Sequence, residues 1–396
     1  LKRCAVSAAM LTRFWFTQQV AGQLLAGLTN DDSVNQVALV RHFETVVYGR
    51  VLGGGEVDVV PGMNLKTTGD LWSDLDALEG VVDSDQSGAA AFGAAQVFYM
   101  FGWYDSDGNV DERRGRIAAD LYMKSISKGG CDSGLDDEEF DQRACDVRYS
   151  HALMLDTWVH GNATPASSQE VFKHMLEMPR YNHVRDIWHT VHDFNYNALL
   201  FPGQYSAKVW PRHMWPPLAT WMESHYGVIR EELDVMLDTG AFEALMQLER
   251  SKEHLANPEG WDTLMIVRYG HFNDLLCKFA PATCELLKAR SEIMDCPVIN
   301  TNFLRLHPGG FLKPHFGNAP RLSLHLTLRA PEPDKALMHV GGQRLRWEEG
   351  EVIVFDDTFA HVVEHHGELP RYVLNIWFCH PCGEPSSHPL ACAAVV

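Results

Sequence analysis

The sequence predicts an α+β chain: a helical, repeat-like first half, then a sandwich or jelly-roll barrel of short strands. Three observations predict it. Through roughly the first 200 residues, apolar positions recur at helical spacing in stretches separated by Gly- and Asp-rich breaks. A Pro- and aromatic-rich passage, Phe201-Pro202-Gly203 through Trp215-Pro216-Pro217, interrupts that pattern. From Val298 onward, short apolar runs alternate with turns. The expected division is residues 1–200, helical, and 201–396, with a β core at about 297–381.

The helices expected in the first half are Asn35–Val51, Gly88–Tyr104, Glu112–Ser127, Asp137–Val159 and Ser167–Leu176. The last opens on Ser167-Ser168-Gln169-Glu170, a good N-cap pattern. Loose echoes, such as Phe98-Tyr99-Met100 against Ala119-Asp120-Leu121-Tyr122, suggest stacked hairpins without a strict period. Asp105-Ser106-Asp107-Gly108-Asn109 reads as an interhelical turn. A calcium loop would need Gly in sixth place and Glu in twelfth, and here Gly108 is fourth and Arg116 twelfth. Beyond the Pro-rich passage an amphipathic helix is expected over Leu218–Leu237, with Trp221, Tyr226, Ile229 and Leu233 on one side. The expected strands are Asn302–Leu306, Leu322–Leu328, Leu337–Val340, Val352–Phe355 and Tyr372–Phe378. Pro308-Gly309-Gly310, Pro331-Glu332-Pro333-Asp334, Gly341-Gly342 and Glu349-Gly350 mark the turns.

Composition narrows the function. The chain is 46% hydrophobic with eleven Trp, so it has the apolar surface to fold. A net charge of −19 argues against nucleic acid or an anionic membrane face as partner. No run of apolar residues is long enough to span a bilayer. The chain begins at Leu1 rather than Met, so upstream residues are expected, and a leader or anchor there is left open. Cys277 and Cys284 enclose a short Pro-containing segment; a disulfide is geometrically feasible, and spacing alone favours two thiols. Cys379-His380-Pro381-Cys382 is a lone C-x-x-C, too little for a zinc site.

Histidines concentrate in the strand-rich region, several of them at strand ends. His315 and His361 are so placed, and imidazoles at a barrel mouth suit Fe(II). On Leu322–Leu328, period two turns the leucines to one face and Ser323, His325 and Thr327 to the other, a polar stripe inside a barrel. Arg371 begins the last strand, either as a solvated edge or as a two-pronged anchor for a carboxylate.

The run His307-Pro308-Gly309…Pro314-His315-x-Gly317…Arg321-Leu322-x-x-His325 is followed by Trp347-Glu348-Glu349-Gly350, Phe355-Asp356-Asp357-Thr358-Phe359-x-His361 and Arg371. With Trp261 and the Cys277–Leu287 segment it resembles the aspartyl/asparaginyl β-hydroxylase family over roughly residues 205–382. The resemblance implies a double-stranded β-helix (jelly-roll) dioxygenase using Fe(II), 2-oxoglutarate and O2. It makes His315 and His361 the iron ligands, with Gly317 where related oxygenases carry a carboxylate and water completing the metal. It implies that Arg371 pairs with the distal carboxylate of 2-oxoglutarate, that His325 serves its other end, and that Arg321 helps hold an acidic substrate side chain. Two positions depart: Ser323 replaces a second Arg, and Leu304 a hydroxylic residue, which puts the substrate in doubt more than the reaction.

The function so implied is hydroxylation of Asp or Asn side chains in a polypeptide. The same chemistry on proline, a free amino acid or a lipid acyl group is the alternative, and a non-catalytic binding module the reading from another class. The resemblance and the Cys277/Cys284 pair point to the secretory pathway, in the endoplasmic reticulum lumen or anchored to its membrane. Asn162-Ala163-Thr164 is a glycosylation sequon, disfavoured by Pro165.

Overall fold

The computed structural model describes residues 91, 95, 99, 112–127, 149, 152–155, 166–195, 197–198, 207–248, 260–268, 270–294, 296, 300–317 and 321–380. Contacts divide the chain into two compact units: Leu1–Asp107 with Asp111–Gly161, and Gly108–Val110 with Asn162–Val396. In the first, helix α1 (Glu112–Ser127) buries Ala118, Tyr122, Ser125 and Ile126, one face at helical spacing. Ala91, Ala95 and Tyr99 are helical and buried at four-residue intervals; Tyr149 and Ala152–Leu155 are also helical and buried. The expected helix Asn35–Val51, the Asp105–Asn109 turn, the sequon and Cys382 lie outside the described residues. Among the described residues no helix is long and apolar enough to cross a membrane.

The second unit carries α2 (Ala166–Glu177), α3 (Pro217–Ser224), α4 (Tyr226–Asp238), α5 (Ala241–Leu248), α6 (Pro281–Lys288) and α7 (Ser291–Met294). Its strands are β1 (Trp261–Arg268), β2 (His271–Phe272), β3 (Asn300–Leu306), β4 (Phe311–His315), β5 (Arg321–Arg329), β6 (Ala336–Val340), β7 (Gln343–Arg346), β8 (Val352–Phe355), β9 (His361–His365) and β10 (Arg371–Cys379). They form two antiparallel sheets, β2-β1-β3-β10-β5-β8 and β4-β9-β6-β7. Counting from β3, strands one, eight, three and six lie in one sheet and two, seven, four and five in the other, the order of a jelly roll.

Alternation decides which side chains face where. Leu322, Leu324, Leu326 and Leu328 of β5 join Leu374, Ile376 and Phe378 of β10 and Val352 and Val354 of β8 in a core that includes Ile229 and Leu233 of α4 and Phe242 of α5. Each fully buried Leu contributes roughly 2 kcal/mol before chain entropy is charged against it. A second core, with Leu304, Leu306, Leu312, Met338, Val363, Trp347 and Val373, fills the barrel between the sheets. The β6–β7 hairpin turns on Gly341 and Gly342, both at positive φ (49° and 80°), the conformation a two-residue turn requires.

Two expectations need correction. The helix expected over Leu218–Leu237 is two helices, broken at His225. There Ser224 Oγ and His225 Nδ1 both bond the Trp221 carbonyl, and the backbone leaves the α region (φ −107°, ψ 8°). Cys277 and Cys284 are not two thiols but a disulfide. Pro281 starts α6, and its first turn carries Cys284 back until the two Cα atoms are 5.6 Å apart. A second disulfide, Cys296–Cys379, ties the lead-in of β3 to the end of β10 across 83 residues. On the loop-entropy account it contributes about 4.5 kcal/mol. The double change Cys296→Ser, Cys379→Ser is expected to lower the thermal midpoint by several degrees, and calorimetry of the two proteins would measure it.

Candidate active site at the barrel mouth

On β5 the face opposite the leucines presents Arg321, Ser323, His325 and Thr327. On β10 the corresponding face presents Val373, Asn375 and Trp377. Register places Asn302, Asn375, His325 and Ile353 in one row across β3, β10, β5 and β8. In the other sheet Leu312 pairs with Val363 and His315 with His361, so Lys313 and Pro314 together oppose Val362. This bulge, at a proline that cannot donate to the ladder, returns His315 to the face of Leu312 and sets it opposite His361.

The two imidazoles meet with ring centroids 4.0 Å apart. His315 Nδ1 donates to the Lys313 carbonyl at 2.6 Å, and His361 Nδ1 to the Phe359 carbonyl at 2.8 Å. Each proton is therefore held on Nδ1, leaving both Nε2 lone pairs as donors toward a metal. Burial pushes both rings below the usual histidine range, His315 well below it, so they stand as neutral ligands. Among the described residues no set of three or more His, Cys, Asp or Glu is arranged to hold a metal. The site offers two imidazoles.

His325 is buried, with Trp347 Nε1 donating to its Nδ1 at 3.2 Å, so its own proton sits on Nε2. Burial, then the nearby Arg371, holds it well below its ordinary pKa. Phe355 stands edge-on to both His325 (5.0 Å) and His361 (5.7 Å), an apolar wall joining them. Arg371 is not a solvated edge: it is 3% exposed, its guanidinium 4.1 Å over the Trp347 ring. Its Nε and Nη1 have no hydrogen-bond partner, and burial lowers its pKa to about 9. Of the two expected departures, Ser323 donates to Asn375 at 2.9 Å, and Asn375 donates to Asn302 at 2.8 Å. Leu304 is part of the interior core.

Arg321 is engaged. Its Nε and Nη2 both reach Asp357 Oδ2 at 2.8 Å, and its guanidinium lies 3.8 Å over Trp377. Asp357 is a residue that sequence reasoning missed, although it sits four positions before His361 in the quoted motif. Its carboxylate occupies the room beside Gly317: a Cβ built there would lie 2.6 Å from Asp357 Oδ1. The Gly317 N–H also donates to the Asp357 carbonyl at 2.6 Å. Gly317→Ala should therefore displace Asp357, lowering both stability and activity, by about 1–3 kcal/mol in stability. Urea unfolding beside an activity assay would check it, and a variant matching the parent in both would mean that the approach is not close.

Asn197 was also missed, and lies before the strand-rich region. Its N–H donates to Thr358 Oγ1 (3.2 Å) and its Nδ2 to the Arg321 carbonyl (3.1 Å), fastening the Asp357 turn to the start of β5. Phe194 meets Phe316, beside His315, at 6.4 Å. His365 is buried and bonded to the Leu369 carbonyl, whereas His366 is exposed.

A jelly-roll barrel with two facing imidazoles and an open, buried guanidinium is the class of protein that fold and site define. Residues 223–381 match the family described as Aspartyl/Asparaginyl beta-hydroxylase. The aspartyl/asparaginyl beta-hydroxylase of Mus musculus is 29% identical over 192 residues, 44% of this chain and 26% of that protein. The ornithine lipid ester-linked acyl 2-hydroxylase of Rhizobium tropici is 28% identical over 174 residues, 43% of this chain and 60% of its own length. The aspartate beta-hydroxylase domain-containing protein 2 of Xenopus tropicalis is 33% identical over 132 residues, 32% of this chain and 35% of that protein. The chain thus spans less than two thirds of each relative.

Proposed function

We propose that this protein is an Fe(II)- and 2-oxoglutarate-dependent hydroxylase of Asp or Asn side chains in a polypeptide. The observation that carries the proposal is Arg371: a buried guanidinium over Trp347 with two N–H groups unpartnered. A buried cation with open donors is unfavourable alone and favourable once a carboxylate fills the fork, which fits the far end of 2-oxoglutarate. His315 and His361 would hold the iron through Nε2, and His325, with its Nε2 proton, would donate to the co-substrate's other carboxylate. When bound, iron with 2-oxoglutarate and O2 supplies the oxidising power for an unactivated C–H bond. The chain's part is to hold the co-substrate, keep the imidazoles neutral and line the mouth with Phe355 and Phe316. Incubation with Fe(II), 2-oxoglutarate, O2 and peptide pools containing Asp or Asn should yield peptides heavier by one oxygen atom. No such product from either pool would remove the polypeptide substrate.

A second reading is hydroxylation of a lipid acyl chain, favoured by the Rhizobium tropici relative, of which the chain covers the largest share among those compared above. Lipid extract in the same assay tests it. The two disulfides support a home in an oxidising compartment such as the lumen of the endoplasmic reticulum. Thiols found free at Cys277 and Cys296 in protein isolated from cells would contradict that home.

A further inference from the structure

Resting on the reading of this site as a hydroxylase of polypeptide side chains, we infer that Arg268 and His271 form a remote subsite for the substrate. It binds an acidic side chain roughly four to six residues from the one hydroxylated.

Strand register carries the inference. One row of paired residues crosses the whole six-stranded sheet: His271 on β2, Arg268 on β1, Asn300 on β3, Trp377 on β10, Ser323 on β5 and Phe355 on β8. Residues paired across strands share a face, so Arg268 and His271 stand on the face of Ser323 and Phe355. The register shift between Met265 and Val267 makes this so. Ile266 and Val267 both enter the core beneath the helices, and the extra residue brings Arg268 back to the face of Thr263 and Met265. Simple alternation would have turned it the other way. At the opposite end of the row Phe355 stands 5.7 Å from His361, at the mouth. Strands about 4.8 Å apart put Arg268 about 14 Å from Ser323 and about 19 Å from Phe355, and an extended chain advances about 3.3 Å per residue.

The remote end of the row is shaped to take a side chain. A cavity of about 340 Å³ is lined there by Arg268 and His271 with Thr263, Met265 and Phe272 among others, and by no carboxylate. Both Arg268 and His271 are exposed, and neither side chain has a partner among the described residues. The chain has a net charge of −19, and its Arg230, Arg305, Arg329 and Arg346 are each engaged by a carboxylate; Arg268 is not. A guanidinium fork with an imidazole N–H beside it matches a carboxylate and repels a Lys or Arg side chain. With so acidic a chain around it, the attraction is confined to this one place, so an acid is favoured at one distance rather than throughout the substrate.

The test is hydroxylation by the full chain, with Fe(II), 2-oxoglutarate and O2, of peptide pools with a central Asn or Asp and long randomised flanks. Sequencing the products by mass spectrometry at low salt should show Asp or Glu enriched about twofold to fivefold at a position roughly four to six residues from the hydroxylated one. Arg268→Glu should replace that enrichment by Lys or Arg at the same position and leave the KM for 2-oxoglutarate unchanged. His271→Gln should weaken it. Both side chains are exposed, so the substitutions leave the fold intact, and a merely structural role could not exchange one preference for the other. For a single acidic peptide drawn from the products, the loss in Arg268→Glu should fall on KM rather than kcat. Products with no acid enriched at any such position, or the same enrichment in Arg268→Glu, would overturn the inference and leave the hydroxylase reading standing. No hydroxylated peptide from either pool, whether or not lipid extract is hydroxylated, would remove the polypeptide reading and this inference with it.

Discussion

Replacing His361 by Ala is expected to abolish Fe(II) retention and 2-oxoglutarate turnover together. Among the described residues two imidazoles converge at the mouth, so removing one leaves a single ligand for a labile divalent ion. The fall in metal affinity should exceed the roughly 10–100-fold that loss of a hydrogen-bond partner behind a ligand produces. Two neighbours are the controls. His366 is exposed and pairs with Glu364 at 3.2 Å, so His366→Ala should change stability by less than about 0.5 kcal/mol and leave the metal untouched. His365 is buried and bonded to the Leu369 carbonyl, so His365→Ala should lower stability by about 1–3 kcal/mol and still retain iron. Metal analysis after gel filtration separates the three. A His361→Ala protein that keeps stoichiometric iron would mean that the ligands lie elsewhere.

Arg371→Ala is expected to raise the apparent KM for 2-oxoglutarate by about 30-fold or more. Truncating one member of a buried charged pair costs about 2–5 kcal/mol, and each 1.4 kcal/mol is a factor of ten. Fe(II) binding should be nearly unchanged, because Arg371 touches Trp347 and not the histidine pair. Arg371→Lys should recover only part of the loss, since an ammonium cannot reproduce the two-pronged fork. Arg371→Met should leave the co-substrate-free protein as stable as the parent or more so. The cation it removes is buried with two unbonded N–H groups, and burial already pulls its pKa to about 9. Affinity lost while stability is kept is the signature of a binding residue. Arg329, paired with Asp234, and Arg346, paired with Asp334 and Glu348, should matter little. A co-substrate titration at fixed iron, beside thermal unfolding, reads both quantities.

Legibility in the sequence followed hydrophobic alternation. β5 could be read because its four leucines alternate with Arg, Ser, His and Thr, and β3, β6, β8 and β10 because each is a compact apolar run. The strands that escaped notice carry mixed patterns. β7, Gln343–Arg346, is an edge strand with largely exposed residues. β4 holds Lys313 and Pro314 at a bulge, and β9 sets two adjacent valines between His361 and Glu364-His365. β1 was visible only as Trp261 in the family's lead-in, and its register shift at Met265/Val267 interrupts a simple period. At the site, His315, His361, His325, Arg321 and Arg371 could be named because their residue types stand at recognisable spacing. Asp357 and Asn197 could not, since their roles depend on contacts 36 and 124 positions away along the chain. The Cys277–Cys284 bond was hidden for a like reason: a helix between the two cysteines, not their spacing, brings them together.

The central claim is that this barrel is a working iron- and 2-oxoglutarate-dependent oxygenase. Its most direct test is succinate released from 2-oxoglutarate by purified protein, with Fe(II) and with Fe(II) removed by a chelator. The account predicts succinate only with iron, abolished in His361→Ala and, at a 2-oxoglutarate concentration that saturates the parent, strongly reduced in Arg371→Ala. Protein that binds Fe(II) stoichiometrically yet releases no succinate, even with peptide and lipid pools present, would contradict it.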